Sequence, residues 1–148
     1  MTHDDLMGAA LEQALLAREA GEVPIGAVIV IDGEIVGRGF NQPITSGDPT
    51  AHAEIVAIRQ AAKEIGNYRL IGATLAVTIE PCLMCVGALV HARIGLLVYG
   101  APEPRTGALI STVKGGELPG HNHRFEIVGS VREDECRALV QAFFRDRR

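Results

Sequence analysis

At 148 residues, with 47% hydrophobic and 22% charged side chains, the chain has the size and composition of one folded globular domain, outside the disordered and fibrous ranges. A formal net charge of -4 argues against a generally basic nucleic-acid binder, since such affinity rests largely on phosphate neutralisation; any RNA contact must be local. No apolar run approaches the roughly 20 residues of a membrane span, and Met1-Thr2-His3-Asp4-Asp5 lacks the basic start of a secretory signal, so a cytoplasmic protein is expected.

No repeat, low-complexity tract or linker interrupts the sequence, and residues 1–148 read as a single domain. A first helix is predicted from about Asp4 to Ala20, stopped by Gly21 with Pro24 just beyond. Ile25 to Ile31 and Glu34 to Phe40 are β-rich and flank Asp32-Gly33, a dipeptide suited to a two-residue hairpin turn. A polar loop follows from Asn41 to Asp48. Ile55, Ile58, Ala62 and Ile65 then repeat at helical spacing in a helix that starts near Thr50 and closes at Gly66-Asn67.

Ala73 to Ile79 reads as a strand, Cys82 to about His91 as a short helix opened by Pro81, and Ile94 to Tyr99 as another strand. Such a β-α-β unit predicts parallel strands with a right-handed crossover. The Gly- and Pro-rich stretch from Gly100 to Gly120 is a long connection, of the kind that often forms a functional wall. Phe125 to Val128 suits a fifth strand. Ser130 and Glu133 have capping-box spacing ahead of a last helix that buries Cys136, Leu139, Val140 and Phe143. The expected fold is α/β, a mixed five-stranded sheet between helical layers.

The chemistry concentrates in His52-Ala53-Glu54 and Pro81-Cys82-Leu83-Met84-Cys85. Zinc favours imidazole and thiolate, and three protein ligands leave a fourth tetrahedral position for water. Cys82 and Cys85 lie on the first turn of a helix, where both sulfurs can point to one side and the dipole favours thiolate. His52, near the start of the preceding helix, can reach the same metal, whereas Glu54 can act as proton carrier. A C-x-x-C pair alone is compatible with structural zinc or a thiol redox pair, and a lone His with a satisfied helix residue. Combined after a strand, H-A-E and P-C-x-x-C match the signature of zinc-dependent nucleobase deaminases.

The likeness extends along nearly the whole chain. Val23-Pro24-Ile25-Gly26-Ala27-Val28, Asn41-Gln42-Pro43, Asp48-Pro49-Thr50-Ala51-His52-Ala53-Glu54, Asn67-Tyr68-Arg69-Leu70 and Glu80-Pro81-Cys82-Leu83-Met84-Cys85 resemble the bacterial tRNA-specific adenosine deaminases, within the cytidine and deoxycytidylate deaminase superfamily. Gly87-Ala88, His91-Ala92-Arg93-Ile94, Thr106-Gly107-Ala108, Asn122-His123-Arg124 and Phe143-Phe144 add to the resemblance. It implies a three-layer α/β/α cytidine-deaminase-like fold, a homodimer, and conversion of the wobble adenosine of a tRNA anticodon loop to inosine. Carried over, His52, Cys82 and Cys85 hold Zn2+ and Glu54 shuttles protons. Asn41 contacts the nucleoside, and the Ala53 amide helps hold the base.

The chain departs from that family where Glu103, between Pro102 and Pro104, replaces the usual Asp, where Ile110 replaces Gly, and where Lys114-Gly115-Gly116 interrupts a more helical stretch. These positions bear on the nucleotides flanking the target, so Glu103 is counted among the substrate contacts. Phe143 continues the apolar stripe of the last helix. Phe144 is a candidate to stack on a base or close the pocket, beside a basic tail of Arg145, Arg147 and Arg148. His91, His121 and His123 do not join the cysteine pair by spacing and read as structural or surface residues, and Cys136 reads as core. Two rivals remain: a deaminase of a free base or nucleoside, and a zinc-stabilised RNA-binding module, which would not require Glu54.

Overall fold

A computed structural model describes residues 1–147; Arg148, part of the expected basic tail, lies outside the described residues. Helix α1 (His3–Glu19) begins with a reciprocal cap in which the Asp5 amide donates to the Thr2 hydroxyl and the Thr2 amide to the Asp5 carboxylate. Strands β1 (Gly26–Ile31) and β2 (Glu34–Phe40) form the expected antiparallel hairpin. Asp32 and Gly33 both take positive φ, 50° and 77°, which matches the turn to the strand twist. A register shift between Ile29 and Val30 leaves Val36 as a bulge.

The polar loop after β2 contains a short helix, α2 (Pro43–Ser46), with Pro43 at its first position. Then come α3 (Ala53–Ile65), β3 (Thr74–Ile79), α4 (Leu83–Ala92), β4 (Leu96–Ala101), a 3₁₀ turn (Gly115–Glu117), β5 (Glu126–Val128) and α5 (Glu133–Asp146). The strand order is β2-β1-β3-β4-β5. β1 runs antiparallel to β2 and β3, whereas β3, β4 and β5 are parallel, so the sheet is mixed as expected.

Alternation along the strands builds two cores. Ala27, Ile29, Leu75, Val77 and Leu97 point to one face, under Ala53, Ala57 and Ala61 of α3 and Val86 and Leu89 of α4. Val28, Ala76 and Val98 point to the other, under Leu6, Met7, Ala10 and Leu11 of α1 and Cys136 of α5. The result is the three-layer α/β/α arrangement. The α3 layer sits unusually close to its strand, because a Cβ on Gly37 would meet the Ala57 carbonyl and one on Gly39 the Ala53 carbonyl. Backbone contact, made possible by missing side chains, thus sets the height of the α3 N-terminus above β2.

The last helix corrects one expectation. Ser130 and Glu133 do not form a capping box: the residue ahead of the helix is Arg132, at φ 52°, and its side chain makes no cap. A box capped by Ser130 would make Arg132 its second helical residue, and the positive φ of Arg132 excludes that; the Ser130 hydroxyl donates instead to the Glu133 carboxylate at 2.7 Å. Cys136 is fully buried, while Leu139, Val140 and Phe143 are only partly so. No helix among the described residues is long and apolar enough to cross a membrane.

Candidate active site

His52 is the residue capping α3, and Cys82 the residue capping α4, with Cys85 one turn in. Cys82 follows the end of β3 through a short turn, whereas His52 is reached from β2 through the longer loop that contains α2; the two helix starts meet at the same place. His52 Nδ1 lies 3.6 Å from Cys82 Sγ and 3.6 Å from Cys85 Sγ, and the three donor atoms lie within 4.8 Å of one another. A tetrahedral zinc with ordinary Zn–S and Zn–N lengths requires N···S edges of about 3.6 Å. The donor set therefore fits the metal in both chemistry and spacing, and three donors leave a fourth position.

Electrostatics separate the donors. Hydrogen bonding from Cys85, aided by His52, brings the Cys82 thiol down to about 4 despite partial burial. Its bond to Cys82, burial and the nearby Glu54 push Cys85 up instead. His52 is raised by its contact with Cys82. One negative charge is thus shared among close donors, and a second ionisation needs a cation between them.

Glu54, in the first turn of α3, is buried, and burial pushes its carboxyl up to about 7. It contacts Cys85 through its side chain and makes no ion pair among the described residues. A buried carboxyl of this affinity beside three metal donors is equipped to take and return a proton near neutral pH.

Asn41 and Ala53 are joined directly: the Ala53 amide donates to Asn41 Oδ1 at 2.9 Å in a buried contact. Asn41 Nδ2 makes no hydrogen bond among the described residues and remains available as a donor. Glu103 and Phe144 fall elsewhere. They line one side groove of about 770 Å³ with Arg105, Val140, Arg145 and Arg147. The Glu103 carboxylate accepts from the Arg105 amide at 2.9 Å, within its own loop. Arg147 lies over the Phe143 ring at 4.2 Å and donates to the Gly21 carbonyl at 2.7 Å, so it also anchors the end of α5. Phe144 is exposed, edge-on to Phe143.

His91 is exposed at the end of α4, whereas His121 and His123 each donate from Nε2 to a carbonyl, of Gly115 and Ile94 respectively. All three remain apart from the donor cluster. Two buried acids acquire roles that local sequence did not suggest. Glu22 accepts from the Ile44 and Thr45 amides and holds α2 behind Asn41. Glu80, immediately before Pro81, gathers the 103–111 segment. The sequence signals Glu80 only as an acid after a largely apolar strand and as the first residue of the family-like Glu80–Cys85 segment; neither says what it binds.

The family described as the cytidine and deoxycytidylate deaminase zinc-binding region matches residues 1–101. The chain belongs to that family of zinc-binding deaminases. Over its full length it is most instructively compared with tRNA-specific adenosine deaminases: that of Haemophilus influenzae is 47% identical over 98% of this chain and 84% of the relative. A structure solved in work on A-to-I editing by tRNA:A34 deaminases superposes with a TM-score of 0.89 at 43% identity, covering 91% of this chain and 98% of the other. Guanine deaminase from Bacillus subtilis is 44% identical, but over 69% of this chain and 66% of its own, with a TM-score of 0.66.

Proposed function

We propose that this protein hydrolyses the wobble adenosine of a tRNA anticodon loop to inosine, releasing ammonia. The observation that carries the chemistry is the His52, Cys82, Cys85 cluster with Glu54 buried beside it. The likeness to tRNA-specific adenosine deaminases along the whole chain, including the segment after residue 101, supports the substrate. In this reading His52, Cys82 and Cys85 hold zinc. Zinc, when bound, supplies a Lewis acid that makes water nucleophilic near neutral pH.

The chain's own residues handle the substrate and protons. Asn41 Nδ2 donates to the nucleoside, its orientation locked by the bond from the Ala53 amide. The Ala53 amide, spent on Asn41, would act on the base through that side chain. Glu54 takes a proton from the attacking water and delivers it to the ring nitrogen beside C6 of adenine. Glu54 then takes the remaining proton of the new C6 hydroxyl and passes it to the departing amine, so that the C6–N bond breaks as the C6 carbonyl forms. Adenosine and water thereby become inosine and ammonia.

The base must leave its stack to reach this site, which costs less in a loop than in a duplex. Glu103, Phe144 and Arg145, which share the side groove, would meet the flanking nucleotides. The exposed Leu83, Met84 and Ile110 near the site support a homodimer, which would cover them. One sheet carries both cores, and the proposed site residues lie on helices and loops of the chain built on it, which favours reading 1–148 as one deaminase domain. A tRNA substrate is in keeping with a cytoplasmic protein.

The partial likeness to guanine deaminase favours one alternative, a free base as substrate. Inosine mapping in an anticodon stem-loop, beside ammonia release from guanine, cytosine and adenosine, separates the two. The tRNA reading expects inosine in the stem-loop. Efficient ammonia release from a free base, with no inosine in RNA, overturns it and leaves the deaminase chemistry standing.

A further inference from the structure

The connection between β4 and β5 is long, yet one side chain organises its first half. Glu80 is buried at the end of β3, and both carboxylate oxygens are fully engaged. Oε2 accepts from the amides of Leu109, Ile110 and Ser111, at 3.1, 2.9 and 3.0 Å. Oε1 accepts from the Glu103 amide at 3.0 Å and from the Ser111 hydroxyl. Five donors on one carboxylate span nine positions of the loop. A Cβ on Gly107 would collide with this carboxylate, so the loop is moulded around it.

The same loop is fastened to the metal-donor turn and to the side groove. The Ala108 amide donates to the Pro81 carbonyl at 2.8 Å, next to Cys82. Glu103 and Arg105, at the loop's other end, form the edge of the groove that Phe144 and Arg145 share. Glu80 therefore stands between the turn carrying two metal donors and the surface on which flanking nucleotides would lie.

We propose that Glu80 is a positioning residue that sets the Glu103 edge of this groove relative to the metal-donor turn, and so governs substrate affinity and not the chemical step; this rests on the RNA reading above. A carboxylate is required because all its partners donate. Glutamine in its place can put an oxygen toward Leu109, Ile110 and Ser111, but its NH2 then faces the Glu103 amide, donor against donor. The edge of the groove is the part released.

The test compares zinc-loaded wild type, Glu80→Gln and Ser111→Ala on an anticodon stem-loop bearing wobble adenosine. Glu80→Gln should keep its zinc and a kcat near wild type, while KM rises on the order of 10–100-fold, as a displaced positioning element predicts. Ser111→Ala, which removes one donor of five, should raise KM in the same direction by less. Amide exchange without substrate provides a second readout: Glu103, Leu109, Ile110 and Ser111 should exchange faster in Glu80→Gln, with β3 and β4 unchanged. An unchanged KM, or a loss confined to kcat, overturns the proposal, as does unchanged exchange in the loop. Should Glu80→Gln fail to fold, Ser111→Ala and Gly107→Ala carry the same two readouts. Failure of the wild type to form inosine refutes the substrate reading instead, and loop exchange still decides whether Glu80 holds the segment.

Discussion

The two faces of the sheet are built by different means. On the α1–α5 face the contacts are largely apolar: Leu6, Met7, Ala10, Leu11 and Cys136 pack on Val28, Ala76 and Val98. The two helices are tied near their ends, by Arg132 to Asp4 at 4.0 Å and by Arg147 to the Gly21 carbonyl, and leave a groove of about 810 Å³ between them. On the α3–α4 face, helix starts and loops are held by directed polar contacts. Asn41 receives the Ala53 amide, Glu22 the amides of α2, and Glu80 the amides of the long loop. Dispersion tolerates small slides between surfaces, whereas a hydrogen bond fixes an atom by both distance and angle. The face that must hold three donors and a proton carrier in register is the one fixed by hydrogen bonds.

The comparison is broken most completely by removing a donor. Cys85→Ala should lose zinc, read by metal analysis, and all detectable turnover; full zinc occupancy would falsify the assigned donor set. Glu54→Gln should come next. It keeps the buried shape and the three donors, so zinc content should stay near one per chain while kcat falls by on the order of 10²–10⁴-fold.

Paired glycine variants ask whether the two faces respond differently to the same steric insult. Gly39→Ala forces a methyl against the Ala53 carbonyl, and Gly26→Ala forces one against the Ala10 carbonyl of α1. Each should cost about 1–3 kcal/mol in denaturant unfolding, as overpacking does. Only Gly39→Ala should also lower kcat per zinc-loaded molecule, since it moves the helix start that carries His52 and Glu54. Equal specific activities would remove the distinction. Cys136→Ala should have a smaller effect, costing about 1 kcal/mol of stability with kcat and zinc unchanged.

The smallest expected effect is in pH dependence on the α5 side. A hydrogen bond from Ser130, aided by Arg137, holds the Glu133 carboxyl below 4.5, its ordinary value. A carboxyl lowered on folding contributes stability that is complete above 4.5 and is lost as pH falls through that value toward the folded one. Glu133→Gln should flatten that acid limb slightly and leave kcat at neutral pH unaltered. Its pH–stability curve overlaying that of wild type would remove this contribution.

Much of this molecule is legible from local pattern. β-rich composition marks β1 and β2, and Asp32-Gly33 marks their turn because few dipeptides accept two positive φ angles. Helical spacing marks α1, α3 and α5, and the parallel β3-α4-β4 unit follows from its element order. The three donor types also announce themselves, since His52, Cys82 and Cys85 stand in a spacing that few other chemistries use. Phe143 and the Ser130–Glu133 pair were less decipherable: a stripe does not say how deeply its last residue is covered, and capping-box spacing does not say where the helix begins.

What tertiary structure alone decided are relationships between distant backbones. The 3.6 Å spacing of His52 to both sulfurs depends on two helix starts meeting from separate strands. The closeness of α3 to β2 depends on Gly37 and Gly39 facing Ala57 and Ala53, a pairing that no periodicity encodes. Glu80 is the sharpest case: its partners lie 23 to 31 residues away, and four of its five donors are amides, which every residue but proline carries. Side-chain identity is written in the sequence, but backbone donors look alike there. Only the fold selects which of them converge on a buried carboxylate.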